Sequence, residues 1–215
     1  YLSSQKFDWE IILVNDGSLD NTKITINKML KLPNFKHTRL ISYSQNKGKG
    51  FAVKTGMLRA QGEYRLFADI DLSTQIEEFD KFPAYLEKSS VVIGSRRVGG
   101  SRVLIHQPSL REKLGKGFTK LSQIVLQVNV ADFTCGFKCF SSSAAQKIFD
   151  KQIINKWGFD AETLFLAKKF KYQIKEVPVK WSNDARSKVK FPQDIVSSLF
   201  DLFKIRYNEF KKRYD

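Results

Sequence analysis

Residues 65–74 read RLFADIDLST, so an apolar run ends by setting two carboxylates, Asp69 and Asp71, two positions apart. Carboxylate oxygens suit a hard divalent cation, Mg2+ or Mn2+, and such cations bridge in turn to substrate phosphates. If the strand continues through Ile70, both acids project to one side and reach one site. The triplet alone is common on protein surfaces. Here it closes an apolar strand and is aligned with other polar strand ends. Asp16 ends the run at 9–16 (WEIILVND) ahead of a glycine turn. There it can accept hydrogen bonds from a base or ribose, or cap the turn. NKGKG at 46–50 brings backbone N–H groups and Lys49 toward an anion. It lacks P-loop spacing and also reads as a glycine turn opening a helix. Arg96 and Arg97 close SVVIGSRR at 90–97, either to fork onto phosphate oxygens or as a solvated basic pair.

These residues need elements to position them. The run at 9–16 is nearly continuous in apolar residues, as in a strand buried on both faces of a parallel sheet. Ile24, Ile26, Met29 and Leu30 then follow a helical pattern. TRLISYS (38–44) reads as a strand, and 46–62 as a basic turn, a helix and a glycine stop. EYRLFADID (63–71) is a strand, IEEFDKFPAYLEK (76–88) helix-like, and 90–97 a strand. Alternating strands and helices define an α/β fold with a mainly parallel sheet flanked by helices. Ligands of such sheets bind outside the carboxyl ends of the strands. Four polar strand ends therefore point to one crevice.

The second half is less regular. Residues 99–117 form a basic, glycine-containing connection entering a helix that runs to about Val128. DFTCGFKCFS (132–141) reads as a strand, WGFDAETLFLAKKF (157–170) as a helix, and YQIKEVPVKW (172–181) as an edge strand that tolerates Pro178. At the end, Ile195, Val196, Leu199, Leu202, Phe203, Tyr207 and Phe210 share one face of a helix, with Lys204, Lys211 and Lys212 flanking or opposing it. This is the pattern of an interfacial amphipathic helix, and also of a terminal helix packed on its domain.

Composition narrows the partners. A 215-residue chain makes one domain of ordinary size or one with an appended segment, and 42% hydrophobic residues suffice for a core. Eighteen Phe against three Trp fit a well-filled interior, with some rings facing a membrane. The opening residues do not read as a signal peptide, and no run approaches the ~18 apolar residues of a spanning helix. Cys135 and Cys139 have no second cysteine pair with which to hold zinc, so they read as buried packing in a reducing compartment. Thirty-seven Lys and Arg against 22 Asp and Glu leave +15, which calls for a polyanionic partner: nucleic acid, an anionic membrane or a phosphorylated substrate.

VNDGSLDNT, NKGKGFAVKTGMLRAQGEY, FADIDLST, VIGSR, DFTCGFKCF and WGFDAE, in this order and spacing, resemble family 2 glycosyltransferases of GT-A fold. Within that family they are most similar to the dolichyl- and polyprenyl-phosphate sugar transferases, especially the dolichyl-phosphate β-glucosyltransferase type. The likeness runs from about Glu10 to Asn208 and includes the late KIRYN. It implies an inverting transfer of a hexose, glucose from UDP-glucose, to dolichyl or polyprenyl phosphate at the cytoplasmic face of a membrane. Mannose from GDP-mannose is the alternative. It further implies nucleotide-sugar contacts from Asp16, Lys49, Asp69 and Arg96. Mg2+ or Mn2+ is expected on Asp71 with Asp69, and lipid-phosphate contacts from Arg111, Arg186 and Lys188. Ser73 stands where mannosyl relatives carry a metal-supporting Gln. Asp132 and the Asp160/Glu162 pair are candidates for positioning acceptor or sugar, and Asp132 equally reads as a structural turn.

The resemblance gives a catalytic domain over 1–190 and a basic, membrane-proximal amphipathic helix over 191–215. It also implies a first apolar strand, central in the sheet, ending in a Pro-x-Tyr-Asn-Glu-like turn. The sequence opens after that point, at YLSSQKFDWE, so the expectation is a sheet lacking that strand. No nucleic-acid partner is expected. A non-catalytic basic α/β module binding RNA or anionic lipid would explain +15 but would make the aligned acids a liability. A nucleotidyltransferase would share the metal carboxylates and fit the late motifs poorly.

Overall fold

The computed structural model describes residues 1–184 and 193–215. Eight strands and seven α-helices follow along it, alternating as far as β4: β1 (Ile11–Asp16), α1 (Thr22–Met29), β2 (Thr38–Tyr43), α2 (Lys49–Arg59), β3 (Tyr64–Ala68), α3 (Pro83–Leu86), β4 (Val91–Ser95) and β5 (Arg102–Ile105). These are followed by α4 (Ser109–Leu126), β6 (Phe137–Ser141), α5 (Ser142–Lys151), α6 (Phe159–Lys169), β7 (Ile174–Pro178), β8 (Lys180–Ser182) and α7 (Gln193–Phe210).

The α/β expectation holds, but the strands form three sheets. A four-stranded sheet runs β3-β6-β4-β7, and β1-β2 and β5-β8 are separate parallel pairs. β4 and β7 are parallel, while β6 lies antiparallel between β3 and β4. The four-stranded sheet is the core's middle layer. Phe67, Val91, Ile93 and Phe140 pack on one face with α4, α5, α6 and α7 residues. Val92, Phe137, Cys139 and Val177 pack on the other with Phe82 and Leu86. Both cysteines are free and share that second cluster, as packing residues do.

Three local departures have plain causes. Pro83 has no N–H to donate and breaks 76–88 into a 3-10 turn (Ile76–Lys81) and the single-turn α3. Strand 172–181 divides at Val179, whose N–H turns to Ser95 O, so β7 edges the main sheet while β8 leaves it for β5. β1 is half-buried along most of its length rather than enclosed, with Asn15 its one buried residue. Among the described residues it bonds to β2 alone, just as β3 bonds to β6 alone, and residues of both strands line one cavity.

Helix ends follow their sequences. Gly48, at φ 102°, turns the chain into α2. Ser141 caps α5 by accepting the Ala144 N–H at 3.3 Å. α6 opens with Asp160 and Glu162 and closes with Lys168 and Lys169, matching its dipole.

Candidate active site

The cavity measures about 2810 Å³ because the slot between β1 and β3 merges with the crevice at the strand ends. Asp16, Lys49, Asp69, Asp71, Arg96, Arg97, Arg111 and Asp160 all line it. Arg186 and Lys188, and the expected boundary at 190/191, lie outside the described residues.

β3 stops at Ala68, so Asp69 and Asp71 do not share a strand face as the spacing implied. They sit on a turn closed by the Leu72 N–H on Asp69 O at 3.0 Å. Leu72 takes φ 50°, a left-handed conformation costing about 1 kcal/mol for a side-chain-bearing residue. Asp71 stays exposed, with Oδ1 accepting the Ser73 N–H at 2.9 Å. Asp69 lies against the Gly136 backbone, where a Cβ would fall 2.0 Å from Oδ2. Its Oδ1 meets Lys49 Nζ at 2.7 Å.

Lys49 in turn lies over the Trp157 ring at 5.3 Å. Burial pushes its pKa down, but Asp69 and Asp160 outweigh this and hold it above the ordinary lysine value. Behind it, fully buried Lys138 donates to Asp160 Oδ1 at 2.5 Å and to Cys135 O at 2.7 Å. Burial raises the Asp160 carboxyl, opposed by Lys138 and Lys49. Acids and cations thus alternate from Asp69 through Lys49 and Asp160 to Lys138.

The other predicted residues are placed differently. Asp16 accepts the Lys47 and Gly48 N–H groups at 2.8 and 2.9 Å, so it caps the NKGKG turn at the cavity rim. Arg96 donates Nε and Nη2 to Asp132 at 2.7 Å each, and Nη2 reaches Thr134 Oγ1 at 2.9 Å. Asp132 is fully buried and also accepts the Arg96 and Thr134 N–H groups. It is not among the residues lining the cavity, and its carboxylate is taken up by Arg96. Glu162 is equally committed, accepting Ile153 N–H, Ile154 N–H and the Tyr214 hydroxyl. Sequence reasoning missed Lys138, whose partner Asp160 is 22 residues away, and the need for glycine at 136.

Among the described residues no group of three or more His, Cys, Asp or Glu gathers to cage a metal. Two carboxylates at a cavity mouth do fit Mg2+ or Mn2+, which take one or two carboxylates and fill their remaining positions from substrate phosphates and water. They do not fit a closed structural zinc site.

A crevice at strand ends, walled by an acidic turn and basic side chains, has the chemistry to receive an anionic ligand. Residues 2–149 match the profile of Glycosyl transferase family 2, and the chain belongs to that family. It is 37% identical over 207 residues to a dolichyl-phosphate β-glucosyltransferase of Trichomonas vaginalis, covering 93% of this chain and 60% of the relative. To the dolichyl-phosphate β-glucosyltransferase of Saccharomyces cerevisiae it is 35% identical over 214 residues, covering 92% and 64%. The chain therefore spans under two thirds of the length of these relatives. Its fold is that of GT-A glycosyltransferases. Glucosyl-3-phosphoglycerate synthase from Mycobacterium tuberculosis with phosphoglyceric acid superposes at TM-score 0.62 and 16% identity, covering 91% of this chain and 68% of that one. The same enzyme with Mn2+ and UDP-glucose superposes at 0.58 and 14%, covering 89% and 67%.

Proposed function

We propose that this protein transfers glucose from UDP-glucose to a dolichyl or polyprenyl phosphate at a membrane surface, with inversion at the anomeric carbon. The reading is carried by its likeness, over more than nine tenths of the chain, to dolichyl-phosphate β-glucosyltransferases. Asp71 and Asp69 would hold Mg2+ or Mn2+, which would supply positive charge against the donor diphosphate. Lys49, beside Asp69 at the cavity, supplies positive charge for the departing nucleoside diphosphate. The lipid phosphate is already anionic near neutral pH and attacks without a strong general base. Asp160 steadies Lys49, and Asp132 positions Arg96.

The test is turnover of UDP-glucose and GDP-mannose with a short polyprenyl phosphate, with Mn2+ or with EDTA. It is run on this chain and on the same chain extended at its N-terminus. Glucosyl transfer that EDTA and Asp71→Asn abolish is expected. Mannosyl transfer alone would reassign the donor. Salt-sensitive RNA binding without UDP-glucose binding would favour a basic binding module instead.

A further inference from the structure

The two arginines closing β4 carry different duties. Arg96 is committed to Asp132 and Thr134. Arg97 reaches toward α4, where Nη1 donates to Thr119 Oγ1 and to the Ala131 carbonyl. Its Nη2 lies against Gly115, so close that a Cβ there would sit 3.3 Å from it. Among the described residues neither Nε nor Nη2 finds an acceptor, and no carboxylate forms an ion pair with this guanidinium. Burial lowers the Arg97 pKa, with Asp132 and Glu112 opposing this through charge alone. Arginine nonetheless stays charged in proteins. The three open N–H groups of Arg97 are not buried, and they are available to fork onto an anion in the cavity. Leu110, Leu114 and Phe118 of α4 line the cavity beside it, forming an apolar wall next to an open cation.

We propose that Arg97 binds the phosphate monoester of the acceptor through a Nε/Nη2 fork, while Leu110, Leu114 and Phe118 take the first part of its hydrocarbon chain. This rests on the reading of the acceptor as a lipid phosphate. Sequence reasoning offered Arg96 and Arg97 alike for phosphate oxygens and gave the lipid phosphate to Arg111, Arg186 and Lys188; the geometry adds Arg97 to that set. The Arg96–Asp132 clamp fixes the backbone from which Arg97 reaches α4. Lysine carries the charge but not the fork, so Arg97→Lys separates geometry from charge.

Calorimetric titration with farnesyl phosphate, inorganic phosphate and, separately, UDP-glucose with Mn2+ tests this on the wild type, Arg97→Lys, Arg97→Met and Leu114→Ser. Thermal unfolding identifies the variants that remain folded. Arg97→Met should weaken farnesyl phosphate binding about 10- to 100-fold, the worth of a charged hydrogen-bond pair. Arg97→Lys should lose about tenfold, and UDP-glucose affinity should stay constant in both. Leu114→Ser should weaken farnesyl phosphate and leave inorganic phosphate unchanged. Wild-type affinity for farnesyl phosphate in both folded Arg97 variants overturns the proposal. So does a loss confined to UDP-glucose, or a wild type that binds neither phosphate. Equal affinity for the two phosphates overturns the hydrocarbon part. Arg97-dependent farnesyl phosphate binding without glucosyl transfer would sink the proposed function and leave this assignment standing.

Discussion

Asp132 shows how a carboxylate can matter to a site without entering it. Burial pushes its pKa up, but the Arg96 charge and hydrogen bonds outweigh that and hold it down at about 2. Replacing it with Asn leaves a buried arginine uncompensated, which costs about 3–5 kcal/mol at neutral pH. A depressed carboxylate contributes stability that is complete above its unfolded pKa, near 4, and lost as pH falls through the folded value. The stability gap between wild type and Asp132→Asn should therefore be full above about pH 4 and should close toward pH 2. Urea unfolding of both proteins across that window measures it, and a gap independent of pH would mean Asp132 is not the titrating group. The acid was visible in the sequence, but its partner was not. Arg96 lies 36 residues away, and nothing local says which of two adjacent arginines turns to it. Lys138 was hidden for the same reason. A lysine inside an apolar strand reads as solvent-facing until its buried acid is known.

At the scale of elements, the acidic turn depends on how the end of β3 meets the start of β6. The Asp69 N–H donates to Gly136 O at 3.0 Å, and the carboxylate fills the space a Cβ would need. Gly136 is outside the left-handed region, so alanine is conformationally acceptable and its effect falls on Asp69. Gly136→Ala should change the melting temperature by only a few degrees, equivalent to about 1 kcal/mol or less. It should weaken Mn2+-dependent UDP-glucose binding about tenfold or more by pushing the Asp69 carboxylate out of its place beside Gly136. Calorimetry with and without Mn2+ reads this, and unchanged affinity would show that the position of Asp69 is unimportant. The strands around this junction were legible because buried apolar runs between turn residues have few other readings. The reversed direction of β6 was not, since a strand covered on both faces reads alike either way. The division into three sheets was equally hidden, because pairing is decided by which edges meet and not by the pattern within a strand.

Across the whole molecule, the C-terminal segment sets an exposed apolar stripe on α7 beside the cations Lys211, Lys212 and Arg213. Leu202 and Ile205 are buried against the body, with Leu199 half-buried beside them. Val196, Phe200, Phe203, Tyr207 and Phe210 are exposed along one stripe at alternating steps of four and three. The apolar face expected from the sequence is thus two faces: Leu199 and Leu202 turn inward, Val196, Phe203, Tyr207 and Phe210 outward. Phe200, absent from the expected set, is 70% exposed. Beyond the helix, Lys212 at φ 53° reverses the chain so that Tyr214 is buried, while Lys211, Lys212 and Arg213 remain exposed beside the stripe. No helix among the described residues is long and apolar enough to cross a membrane, but aromatic rings bordered by cations complement an anionic lipid surface. Vesicle co-sedimentation should find the chain on phosphatidylserine-containing liposomes. Neutralising Lys211, Lys212 and Arg213 to Gln should weaken that binding about 100-fold, from about 1 kcal/mol per charge, with the difference shrinking at high salt. Replacing Phe200, Phe203 and Phe210 by Ser should weaken binding to anionic and zwitterionic vesicles alike, because the lost contribution is apolar burial. If the Phe variant binds both vesicle types like the wild type, the stripe faces something other than lipid, and the cations alone account for any anionic preference.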